Sequence, residues 1–129
     1  MTKFQSFSRG NETHTYELWF FDPFQTVNST PVLITSFPLA INKTIEINVH
    51  QAAIKNDETT RNVGNIKGVF HRIAGDILQD GTLDLSLRGV LSPAKVGFTI
   101  NNTTKEVEIW ANGTNSTINW KGEIEVRMY

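Results

Sequence analysis

Apolar and polar residues alternate along 118–129: Ile118, Trp120, Ile124, Val126 and Met128 fall in one row, with Gly122 among them, and Lys121, Glu123, Glu125 and Arg127 fall in the other. A two-residue period belongs to a strand with one face in a core and the other in water. The same period predicts strands elsewhere. Over 15–20 it sets Tyr16, Leu18 and Phe20 on one face, until Pro23, which has no N–H to donate, is expected to end regular pairing. Residues 32–38, bounded by Pro31 and Pro38, form the next candidate, and over 44–50 Ile45, Ile47 and Val49 face inward. Residues 66–73 read as a strand in which Gly68 marks a bulge or a close backbone approach. Asp80-Gly81 predicts a tight turn that leads Leu83, Leu85 and Leu87 onto one face. Val96, Phe98 and Ile100, a turn over 101–104, and Val107 and Ile109 predict a hairpin, which the final strand extends into an antiparallel meander. Between these elements, 51–54 has the composition of a short helical piece, and the polar stretch 55–62 predicts a solvated loop, long enough to be mobile.

No segment keeps a helical period over several turns. Roughly seven to nine short strands separated by turns predict an all-β fold, an antiparallel β-sandwich of jelly-roll-like kind. At 129 residues, 39% of them hydrophobic, the chain has the length and apolar content to build one self-sufficient core. The net charge of −1 comes from 12 basic and 13 acidic residues without runs of either sign, so no concentrated positive field exists for a phosphate backbone and nucleic acid is not expected as a partner. There are no cysteines, which excludes disulfides, thiolate metal sites and thiol nucleophiles. No apolar stretch approaches the ~20 residues of a membrane span or the length of a signal sequence, so the expectation is a protein made in a cytosol, with no membrane partner. Sequons begin at Asn11, Asn28, Asn42, Asn101, Asn102, Asn112 and Asn115, and without a secretory signal they read as products of Asn/Thr-rich turns.

The residues that carry chemistry do not assemble in the sequence. His14, His50 and His71 lack any metal-ligand spacing, and the last two sit at polar-face positions, so no metal site and no cofactor is expected. No serine lies in a nucleophile elbow, and the glycines are scattered singly, which gives no phosphate cradle. Glu106/Glu108 and Glu123/Glu125 have the pairing of a glycosidase's carboxylates. Their place on outward faces, interleaved with Lys105, Lys121 and Arg127, predicts cross-strand salt bridges instead. No catalytic residue is assigned and an enzyme is not expected.

The aromatic residues are the strongest candidates for a binding role. Trp19, Phe20, Phe21 and Phe24 break strict alternation, so at least one ring must leave the core side. The cluster either plugs one end of the sandwich or anchors an interface, since a flat apolar ring leaves water favourably in both settings. Trp110 lies out of phase with Val107 and Ile109 and is expected to be exposed or covered by a neighbouring subunit, whereas Trp120 is in phase with Ile118 and Ile124 and belongs to the core. Trp19, Phe20, Phe21, Phe24 and Trp110 are therefore the candidate interface residues. A sugar ring stacked on Trp110, with help from the loops 55–62 and 112–117, is the alternative.

From about Thr26 onward the chain resembles a β-module of tailed-bacteriophage virion structural proteins. The resemblance is carried by Thr30-Pro31-Val32-Leu33-Ile34 with Phe37-Pro38-Leu39, by Ile45-Glu46-Ile47-Asn48-Val49-His50-Gln51-Ala52, and by Val69-Phe70-His71-Arg72-Ile73-Ala74-Gly75. It ends with Val107-Glu108-Ile109-Trp110-Ala111-Asn112-Gly113 and 118–126. It implies a capsid decoration, head-fibre or tail-appendage protein located on the virion, commonly a homotrimer, with a major capsid protein or other virion protein as partner. The absence of a Gly-rich or heptad-bearing shaft favours decoration over fibre. On this reading 1–25 is an N-terminal docking segment or edge strand and 26–129 the sandwich domain, and a carbohydrate- or receptor-binding module of a tail appendage is the runner-up.

Overall fold

The computed structural model describes residues 15–57, 60–89 and 93–129, and the backbone of 6–10. The described residues form strands and turns with no helix: β1 (Ser6–Gly10), β2 (Thr15–Thr26), β3 (Val32–Pro38), β4 (Lys43–Lys55), β5 (Arg61–Arg72), β6 (Leu78–Gln79), β7 (Asp84–Gly89), β8 (Lys95–Asn101), β9 (Glu106–Asn112) and β10 (Ile118–Met128). All pairings are antiparallel and fall in two sheets. The larger has the order β1-β2-β10-β4-β5-β6, with β7 also on β5, and the smaller the order β3-β9-β8. The chain is an all-β antiparallel sandwich.

The core forms where the inward rows meet. In the large sheet Trp120, Ile124 and Val126 of β10 stand in register with Ala53, Val49 and Ile47 of β4, and Val49 and Ile45 with Ile66 and Phe70 of β5. Ile34, Phe37, Val96, Val107, Ile109 and Ala111 close on them from the small sheet. Each fully buried aliphatic or aromatic side chain contributes about 1.5–3 kcal/mol, which is the main reason the alternation in the sequence is obeyed.

Three expectations are corrected. The final strand does not extend the β8–β9 hairpin into a meander; it crosses to the other sheet and lies between β2 and β4. The turn at Asn112-Gly113 permits this because Gly113 runs against β2, where a Cβ would meet the Thr26 hydroxyl at 2.5 Å. Residues 51–54 are not helical but continue β4, paired on one side with β10 and on the other with β5. Pro23 does not end β2. Trp120 pairs with Phe24 and Gly122 with Phe21, so Asp22 and Pro23 together oppose the single Lys121. Such a bulge leaves a residue without ladder bonds, which is one of the places in a sheet that tolerates proline.

Other expectations are refined. Gly68 is a close approach and not a bulge, since the β4–β5 register runs through it unbroken and a Cβ there would lie 2.9 Å from the Phe70 ring. Leu83 and Leu87 pack against the margin of the core, while Leu85 stays exposed. Within the 55–62 stretch, Asn56 and Asp57 are exposed, Lys55 and Arg61 belong to strands, and Glu58 and Thr59 lie outside the described residues.

Candidate binding surface

The bulge in β2 decides which aromatic rings face the core. Before it, odd positions point inward, and after it even ones do, so Trp19, Phe21 and Phe24 share the inner face although their spacing breaks alternation. Phe21 is only 3% exposed and belongs to the core, which corrects its candidacy as an interface residue. Trp19 packs edge-on against Phe37, with ring centroids 5.6 Å apart, and its indole N–H donates to Glu17 over 2.8 Å. Phe20 is the ring that leaves the core side. It shares the outer face of the large sheet with Tyr16 and Leu18, half-buried like both of them. The boundary at 25/26 falls at the end of β2, a strand whose rings are part of the sandwich.

Phe24 and Trp110 each border a surface depression. Phe24 stacks on buried Trp120, centroids 6.2 Å apart and planes 8° apart, and its remaining surface lines a shallow depression of 310 Å³ with Pro23, Val32 and Leu33. A register shift between Leu33 and Thr35 turns Ile34 into the core and leaves Leu33, 44% exposed, opposite Trp110. The half-buried Trp110 in turn lines a second depression of 270 Å³ with Pro31, Gly97, Thr99 and Asn112. Pro31 thus lines the Trp110 depression, and Val32 and Leu33, next in the chain, line the Phe24 depression. Glu108 accepts the Trp110 indole N–H over 3.3 Å and an Asn101 amide N–H over 3.2 Å, which fixes the ring against the sheet. The sequence singled out the two aromatic residues but not Leu33 and Pro31, whose spacing from Trp110 exists only across the β3–β9 pairing.

The outer face of the large sheet is polar and cross-linked. Glu125 contacts the His50 Nε2 at 2.5 Å and accepts the Tyr16 hydroxyl over 3.4 Å, while Arg127 lies over the Tyr16 ring at 5.4 Å. Loss of hydration, and next the Glu125 carboxylate, raise the Tyr16 pKa above the ordinary phenol value. His71 pairs likewise with Asp80 through Nδ1 at 2.6 Å. His14 lies outside the described residues. Of the carboxylates expected to bridge to Lys105, Lys121 and Arg127, Glu106, Glu108 and Glu125 contact other groups. Glu106 accepts the Ser36 hydroxyl over 2.7 Å and a bond from Thr104, which hold its carboxyl below the usual range, and Lys105 goes to Asp76. Arg127 reaches Glu46, at 4.0 Å. Among the described residues no three His, Asp or Glu side chains gather where they would hold a metal ion.

Comparison with known proteins adds no relative to this picture: no family model, no curated protein and no solved structure matches the chain.

Proposed function

We propose that the chain is a non-enzymatic structural protein of a bacteriophage virion, a capsid decoration protein that self-associates and seats its Phe24–Leu33–Trp110 surface on the shell. The observation that supports this reading is the exposure of Val32 and Leu33 on an edge strand of the small sheet, with Leu33 opposite Trp110 and both residues beside the Phe24 depression. The β-module resemblance supplies the partner. The mechanism is linkage, since a protein that binds the assembled lattice and not its separated subunits stabilises the lattice by its own binding free energy. Co-sedimentation with undecorated capsids tests it. Leu33→Asp and Trp110→Ala are each expected to abolish co-sedimentation while keeping the circular dichroism and unfolding midpoint of a folded sandwich. Binding that persists in both variants removes this surface from the interface.

One observation favours a carbohydrate-binding role as a second reading. The Trp110 ring borders a depression that also holds the Asn112 amide, with the Glu108 carboxylate beside it, which is an apolar face next to hydrogen-bonding groups of the kind that takes a sugar. A glycan array on the wild-type protein and on Trp110→Ala separates the two readings. Glycan binding lost in the variant, with capsid binding absent in both, replaces decoration by receptor recognition.

A further inference from the structure

We propose that two copies of this chain pair through β7 about a two-fold axis at Ser86, joining their large sheets edge to edge. Among the described residues β7 pairs with β5 only, and every one of its residues except Leu87 is exposed. An open strand edge carries unpaired N–H and C=O groups and is a template for another strand. The two edges of the small sheet differ. β3 is bounded by Pro31 and Pro38, which lack the N–H that pairing needs, and β8 carries Lys95 and Gly97.

The sequence of β7 complements itself when reversed. In an antiparallel pair centred on Ser86, Asp84 stands opposite the partner's Arg88, Leu85 opposite the partner's Leu87, and Ser86 opposite its own copy. Each cross-strand pair is favourable: two ion pairs, two leucine pairs and a hydroxyl pair. Leu85, 52% exposed and in register with core residue Ile66, then gains an apolar neighbour in the one direction where its own sheet has none. Among the described residues neither Asp84 nor Arg88 forms an ion pair within the chain. Guarding an edge against aggregation calls for charges of one sign, which repel a second copy. Opposite signs placed symmetrically about Ser86 attract one and fix its register.

The strand is paired with β5 along its whole length. Gly64 has φ +146°, and a Cβ on it would lie 1.9 Å from the Ser86 carbonyl oxygen, so β5 and β7 are flush at the centre of the proposed axis. The contact is isologous and closes at two copies. It is therefore independent of which surface meets a capsid or a glycan, and it differs from the three-fold association that the virion resemblance implies.

Sedimentation equilibrium on the full chain tests it, using Asp84→Arg, Arg88→Asp and the double variant. Wild type is expected to be a dimer. Either single reversal converts both attractive ion pairs into repulsive ones and raises the dissociation constant by roughly tenfold or more at low salt. The double variant restores pairing with the signs exchanged. An equimolar mixture of the two single variants forms the heterodimer, because one copy then carries only arginines and the other only aspartates on this face. Since the variants rescue each other, a folding defect cannot imitate the pattern. A wild-type monomer or trimer, an unchanged mass in the single variants, or a mixture that fails to associate each overturns the proposal; a trimer overturns it while leaving the decoration reading in place.

Discussion

Gln51 on β4 of the large sheet accepts the backbone N–H of Val96 on β8 of the small sheet, over 2.7 Å in the buried interior. Its amide N–H groups reach the Asn62 and Ala94 carbonyls at 3.2 and 3.3 Å, and Asn62 donates to Ala94 over 2.9 Å. A buried polar cluster thus ties the sheets together at a position that continues the row of Ile45, Ile47 and Val49. Gln51→Leu keeps the volume but strands the Val96 N–H without a partner. The expected cost is about 1–3 kcal/mol, read as a lower urea midpoint with an unchanged slope.

The indole N–H of Trp120 donates to the Thr26 hydroxyl over 2.9 Å, with both residues buried. Thr26→Val, close in shape, leaves that donor unsatisfied and is expected to lower stability by about 1–3 kcal/mol. Trp120→Ala removes the largest core side chain and the ring under Phe24, and is expected to cost about 3–5 kcal/mol. Thermal unfolding of the two variants checks the order, since the cavity exceeds the lost hydrogen bond.

Gly64→Ala introduces a side chain at a backbone conformation that L residues rarely adopt and drives it toward the Ser86 carbonyl. The expected loss is at least about 2 kcal/mol. Hydrogen exchange should show amides of β7 losing protection before those of β10, because only the β5–β7 pairing is directly displaced.

Tyr16 makes stability depend on pH at the alkaline end. Its pKa is raised in the folded state by lost hydration and by Glu125, so the unfolded chain releases the phenolic proton more readily than the folded one. The contribution is fully present below the unfolded pKa and is lost as the pH rises through the folded one. Glu125→Gln removes the neighbouring negative charge and is expected to shift the Tyr16 titration downward, part of the way to an ordinary phenol. Tyrosinate absorbance in a Tyr129→Phe background isolates the group.

Periodicity made the inner rows legible, because burying Ile45, Ile47, Val49, Ile124 and Val126 outweighs every local preference in those segments. It could not reveal which strands are neighbours. The row of β10 is the same whether the strand extends the β8–β9 hairpin or crosses to the other sheet, so its face was readable and its place was not. The reach of β4 beyond His50 was hidden for a related reason: Gln51 looks like a break in an apolar row until Val96 and Asn62 supply its hydrogen bonds. Phe21 and Phe24 share a face only because Lys121 of another strand stands opposite two residues, and no pattern within 15–26 contains that information. Trp110 could be placed on the face opposite Val107 and Ile109, but its companions Pro31 and Leu33 could not, since they meet it across some eighty residues of chain.

The central place of β10 has a consequence for biosynthesis. Thr15–Thr26 and Lys43–Lys55 are both complete early, yet in the finished sheet they touch only through Ile118–Met128, the stretch that leaves the ribosome after them. Until those residues emerge, the two early strands present open edges, and closing the gap requires a loop of about a hundred residues, which slows folding. A nascent copy interrupted before Ile118 therefore lacks the strand that joins β2 to β4, and the facing edges of those two strands stay unpaired until 118–128 has been made.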